Sequence, residues 1–72
     1  MKTLYAVAIY SKRTGCGWFN DVLIDFEPGS DKYAEAEKYV ALYNKSNEKY
    51  GIAKIIPADF DALIKFIRHH GK

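Results

Sequence analysis

Three groups of side chains in this sequence have the types and spacing to do chemistry. The first is Cys16, held between Gly15 and Gly17 and preceded by Lys12 and Arg13. Nearby cations lower a thiol's pKa and raise its thiolate fraction, as a cysteine nucleophile requires. A nucleophile also needs an oriented base, and the two histidines, His69 and His70, stand at the other end of the chain. Cys16 therefore reads as a loop thiol. The second group is Asp21, Asp25 and Glu27, which an alternating strand would place on one face. Carboxylates two positions apart on a strand lie roughly 6–7 Å from each other, a spacing that suits an acid/base pair or a shared divalent ion. No histidine or lysine stands where it would complete a hydrolase or nuclease set, so these charges read as guards of an edge strand. The third group is His69-His70. Adjacent helical positions point about 100° apart and cannot chelate one ion together.

No catalytic residue, metal site or cofactor site is expected from these groups, and the chain reads as a non-enzyme. Gly15-Cys16-Gly17 lacks the helix and the Lys-Ser/Thr pair that would make it a phosphate-cradling loop. A nucleic-acid reading has more to work with. Lys12 and Arg13 would sit at a hairpin tip ahead of Trp18, with Arg68 on a basic last helix. A basic hairpin can enter a groove, and an aromatic ring can stack on unpaired bases. The charge balance argues against it. Eleven Lys and Arg face nine Asp and Glu, for a net charge of +2. That excess lies wholly in residues 51–72, where Asp59 and Asp61 open a helix and Lys65, Arg68 and Lys72 close it. This order complements a helix dipole and needs no external polyanion.

The elements that must position these groups follow from hydrophobic period. The 72 residues are 49% hydrophobic and 28% charged, which suits one folded domain spanning 1–72 and excludes a disordered or collagen-like chain. A single cysteine excludes a disulfide-stapled mini-protein or a multi-cysteine metal site. The apolar run Leu4 to Tyr10 is too short for a signal peptide core or a membrane span, so a cytoplasmic protein is expected. Thr3 to Tyr10 reads as a strand. Trp18 to Phe26 alternates and reads as a second, joined to the first by a hairpin. Its core face would be Trp18, Val22, Ile24 and Phe26.

Pro28-Gly29-Ser30-Asp31 stops that strand and starts a helix capped by Ser30 or Asp31, with Tyr33, Ala36, Tyr39, Val40 and Tyr43 on its buried stripe and fraying near Asn44 to Asn47. Gly51 to Ile56 reads as a third strand closed by Pro57. A last helix, capped by Asp59, would bury Phe60, Leu63, Ile64 and Ile67 and end at Gly71.

The order is β-β-α-β-α. The first strand has no polar side chain from Leu4 to Tyr10 and should lie centrally; the other two carry charges that suit edges. The expected fold is therefore an α+β two-layer sandwich. It has a three-stranded, mainly antiparallel sheet in the order 2-1-3, with both helices on one face. That leaves an open sheet face carrying Leu4, Ala6, Ala8, Tyr10, Phe19 and Leu23, a candidate protein interface. The functional expectation is a small protein-binding module acting through this face and the 11–19 hairpin. Its partner would be another protein or a second copy in a homodimer, with no small-molecule substrate and no membrane. By analogy of size alone, accessory or inhibitory proteins of phages and mobile elements belong to this class. The alternative is weak nucleic-acid binding through Lys12, Arg13, Trp18 and Arg68.

Overall fold

A computed structural model of the chain describes residues 3–71. Strands β1 (Tyr5–Ser11), β2 (Gly17–Phe19) and β3 (Gly51–Pro57) form one sheet in the order β2-β1-β3, and helices α1 (Asp31–Asn47) and α2 (Phe60–His70) pack against it. Both pairings are antiparallel, with Ile9 opposite Trp18 on one side of β1 and opposite Ala53 on the other. The fold is a small α+β domain with the expected strand order.

Local chemistry explains each boundary. The hairpin between β1 and β2 is closed by the Ser11 N–H donating to the Cys16 carbonyl at 2.8 Å. Ser30 is the N-cap of α1, its hydroxyl accepting the Tyr33 N–H at 3.2 Å. Asp59 caps α2 by accepting the Ala62 N–H at 2.8 Å. Each side-chain oxygen satisfies a donor that the helix itself cannot pair. Helix α1 stays regular through the stretch Asn44 to Asn47 where fraying is expected, and within that stretch the Asn44 side chain is held in place. Its Nδ2 donates to the Ala53 carbonyl at 3.0 Å, and its Oδ1 accepts the Ala53 N–H at 2.7 Å. The amide thus does for β3 what a neighbouring strand would do.

Two expectations fail, each for a physical reason. The first concerns the helices, which lie on opposite faces of the sheet. Val7 and Ile9 of β1 pack with Ala53, Leu23, Phe26 and Ala36, beneath the tyrosine stripe of α1. Ala8 and Tyr10, the alternate residues, pack with Ile56, Leu63 and Phe66, beneath α2. The layering is helix–sheet–helix, and residues 6–10 are all buried. Small residues make the second seat possible. A Cβ on Gly17 would stand 2.5 Å from Ile67 Cγ1, so α2 approaches the sheet more closely than any side chain there would allow. Gly51 plays the same part on the α1 side, where a Cβ would meet the Tyr43 hydroxyl at 2.8 Å.

The second failure is the length of β2, which stops at Phe19 instead of running to Phe26. The Asn20 side-chain oxygen accepts the N–H groups of Val22 and Leu23 at 2.8 and 2.9 Å, folding the chain into a local turn. Asp21 and Val22 are looped out, and pairing with β1 resumes through Leu23 and an isolated bridge between Tyr5 and Phe26. The excursion changes which residues face inward. Phe26 is buried as expected and Leu23 joins it, whereas Trp18 and Val22 are exposed.

Replacing Asn44 with Ala leaves both backbone groups of Ala53 without their partner. The expected result is a folded protein less stable by about 1–3 kcal/mol, measured by urea denaturation. An unchanged midpoint would mean that water satisfies Ala53 equally well.

Candidate functional site

The helix–sheet–helix layering redraws the candidate interface. Ala6 and Ala8 are fully buried, Tyr10 is 5% exposed, and Ala8 and Tyr10 pack in the cluster that α2 covers. Phe19 is half-buried against the same cluster. Leu23 is buried on the opposite side, under α1. Only Leu4 keeps substantial exposure, just outside β1, where its carbonyl accepts the Ala58 N–H at 2.9 Å. The expected open face is thus an interior surface divided between two cores. Its small residues do receive a closely packed partner, and that partner is α2 of the same chain.

The carboxylate series also comes apart. Asp21 sits in the looped-out turn and Asp25 adopts a left-handed backbone with φ of 57°, so the strand spacing that would join them to Glu27 does not exist. Among the described residues no group of three or more His, Cys, Asp or Glu could hold a metal ion. Cys16 is a free, exposed thiol in the hairpin, its Sγ 3.9 Å from the Thr14 carbonyl.

The basic residues are partly assembled. Lys12 Nζ donates to the Glu48 carbonyl at 2.6 Å, and the Lys12 N–H donates to the Tyr50 carbonyl at 2.9 Å, fastening the hairpin to the turn after α1. Arg13 and Arg68 are exposed. Trp18 is opposite Ile9 in register and so projects from the α1 side, while Arg68 belongs to the helix on the other side. The four residues of the nucleic-acid reading therefore share no common face. Lys72, counted with the basic helix end, lies outside the described residues.

The surface the sequence did not reveal runs along α2. Between this helix and β3 lies a groove of about 790 Å³. Ile56 and Phe66 contribute its apolar lining, and Lys54 and Lys65 share its polar lining with Asp59, Asp61, His69 and His70. Phe60, at its mouth, is 76% exposed, and Ile64 one turn on is 40% exposed. Sequence period put both inside, on the Phe60-Leu63-Ile64-Ile67 stripe. Leu63 is buried and Ile67 packs against the same core as expected, but Phe66 is buried where Phe60 and Ile64 are not, with His70 half-buried on the same line. The available signal was Phe66, which extends a Leu63-Phe66-His70 stripe as well as Phe60 extends the other.

His70 stands where α2, β1 and a cluster of cations meet. Its ring lies 4.9 Å from Phe66, 5.9 Å from Tyr10 and 4.8 Å from His69. Burial first, then the positive charges of His69, Lys54 and Lys12, hold its pKa below the ordinary value of 6.5. These groups come from α2, β3 and the hairpin.

Compared with protein-family models, curated proteins and solved structures, the chain finds no significant match. No described helix is long and apolar enough to cross a membrane.

Two outcomes test this geometry. Ala8→Glu would set a carboxylate between β1 and α2 and should cost about 3–5 kcal/mol, enough to unfold a domain this small, whereas Leu4→Glu should fold normally. Circular dichroism distinguishes them; a normally folded Ala8→Glu would contradict the seating of α2 on β1. The depressed His70 pKa sets the sign of a pH effect. Unfolded chains take up a proton below pH 6.5 that the folded chain resists, so stability should fall as pH drops through that value. Denaturation at pH 7.5 and 5.5 should show the loss, and His70→Gln should reduce it.

Proposed function

We propose that this chain is a small, non-enzymatic protein-binding module whose contact surface is the outer side of α2 with the groove beside it. The observation that carries this reading is the exposure of Phe60 and Ile64, one turn apart on a helix that buries Leu63 and Phe66. Single exposed apolar residues are ordinary, but Phe60 and Ile64 are neighbours on one flank of α2, and Phe60 also lines the groove with Ile56 and Phe66, so together they form a patch of the kind partners cover. An exposed phenylalanine is a suitable anchor, offering large area for little side-chain ordering. In this reading the protein is an accessory or inhibitory factor of the cytoplasm, of the kind phages and mobile elements carry, a role drawn by analogy of size alone.

A second reading, weak nucleic-acid binding, is favoured by one observation: Lys12, Lys54 and His69 are all near enough to His70 for their charges to act on it. It is weakened by the opposite placement of Trp18 and Arg68, and by a net charge of only +2.

Phe60→Asp separates the readings. The change falls at the first position of α2, where a carboxylate favours the helix, so the fold should persist. Affinity capture from the native host should lose at least tenfold of a specific partner. Capture that ignores Phe60→Asp, together with salt-sensitive binding of random RNA or DNA lost in Arg13→Glu, would replace the protein reading with the nucleic-acid one.

A further inference from the structure

We propose that the outer face of α2 recognises itself: the α2 of a second copy packs antiparallel against it, about a two-fold axis that passes beside Ile64. This rests on the protein-binding reading and names its partner.

The exposed residues of the helix are Phe60, Asp61, Ile64, Lys65, Arg68 and His69. At about 100° per residue, Asp61 and Arg68 lie within about 20° of each other along the crest of this face. Phe60 and Ile64 lie to one side of the crest, and Lys65 and His69 lie to the other. Leu63 and Phe66 point away, into the core.

A two-fold axis at right angles to the helix, level with Ile64 and Lys65, sets Asp61 of each copy opposite Arg68 of the other. The same axis keeps each flank on its own side. Ile64 then meets its own equivalent across the axis, with a Phe60 ring beyond it at either end, so one flank closes as a continuous apolar strip. On the other flank, Lys65 and His69 reach outward to water, and the lysine stems cover the edge of the contact. Two ion pairs and one apolar strip are thus made by a single self-complementary patch, as a closed dimer requires. A parallel copy would instead oppose Asp61 to Asp61 and Arg68 to Arg68.

The helix dipole by itself accounts for an acid in the first turn and cations in the last. It gives no reason for Phe60 and Ile64 to be exposed beside them. Self-recognition accounts for both. Eleven residues make a helix only about 16 Å long, so the contact is small. The dimer is therefore weak and concentration-dependent, below the area of standard stable interfaces.

Charge reversal tests the geometry without depending on a loss alone. Sedimentation equilibrium from about 10 μM to about 1 mM should show wild-type chains associating reversibly into dimers. Asp61→Arg and Arg68→Asp, each checked for fold by circular dichroism, should each weaken self-association at least tenfold. Mixed together, the two variants should associate. In the mixed pair the introduced arginine meets the introduced aspartate at one end, and the native Arg68 meets the native Asp61 at the other. Ile64→Glu should give monomers.

Wild-type chains that stay monomeric throughout the range would overturn the proposal. So would dimers indifferent to Ile64→Glu, or a mixture no more associated than its components. If self-association is absent while Ile64→Glu still abolishes capture of a different protein, only the identity of the partner falls. If Ile64→Glu and Phe60→Asp both leave capture intact, the protein-binding reading falls as well.

Discussion

Everything in this fold depends on one strand being dry on both faces. Residues 6–10 of β1 are buried without exception, and their alternation sends Val7 and Ile9 to one helix and Ala8 and Tyr10 to the other. A chain of 72 residues cannot build one thick core. It builds two thin ones that share a wall. The wall differs in texture on its two sides. The α1 side is filled by large rings, with Tyr33 meeting Tyr5 and Phe26 edge-on at 6.0 and 5.6 Å. On the α2 side, Ala6, Ala8 and Gly17 leave little projecting, which lets an eleven-residue helix settle close to the backbone.

Much of this was legible. The unbroken apolar run from Leu4 to Tyr10 marks a central strand, and charge on its neighbours marks edges; the order β2-β1-β3 follows. The caps Ser30 and Asp59 stand where their side chains announce them. The placement of both helices on one face was not a necessary reading of those residues. A strand apolar on both sides calls for cover on both sides, and the alanines of β1 were the seat of that cover. The break in β2 was harder to see. Asn20 lies in a segment read as one alternating strand, as the one polar residue on the face of Trp18, Val22, Ile24 and Phe26, and its local hydrogen bonds to Val22 and Leu23 break that strand.

Moving α2 across the sheet also moves the functional question. A buried sheet face cannot receive a partner, which leaves the outward side of α2 as the available surface. Two apolar stripes were available on α2, one through Phe60 and Ile64 and one through Phe66 and His70. The fold uses the second, and so holds a histidine near Lys54 and Lys12 in surroundings that disfavour its charge. Phe60 and Ile64 of the first stripe are left outside the core.

The side-chain amide of Asn44 has a consequence for how copies of this protein can accumulate. Strand β3 is an edge, and an edge is a template on which further strands can be added without limit. Here Ala53 has both its outward groups committed to Asn44, and Pro57 carries no N–H to offer. Between them only Ile55 remains for an incoming strand, too short a register to nucleate one. Asn44 and Pro57 together leave little of that edge free for sheet extension. Addition of a further strand to this edge is thereby disfavoured.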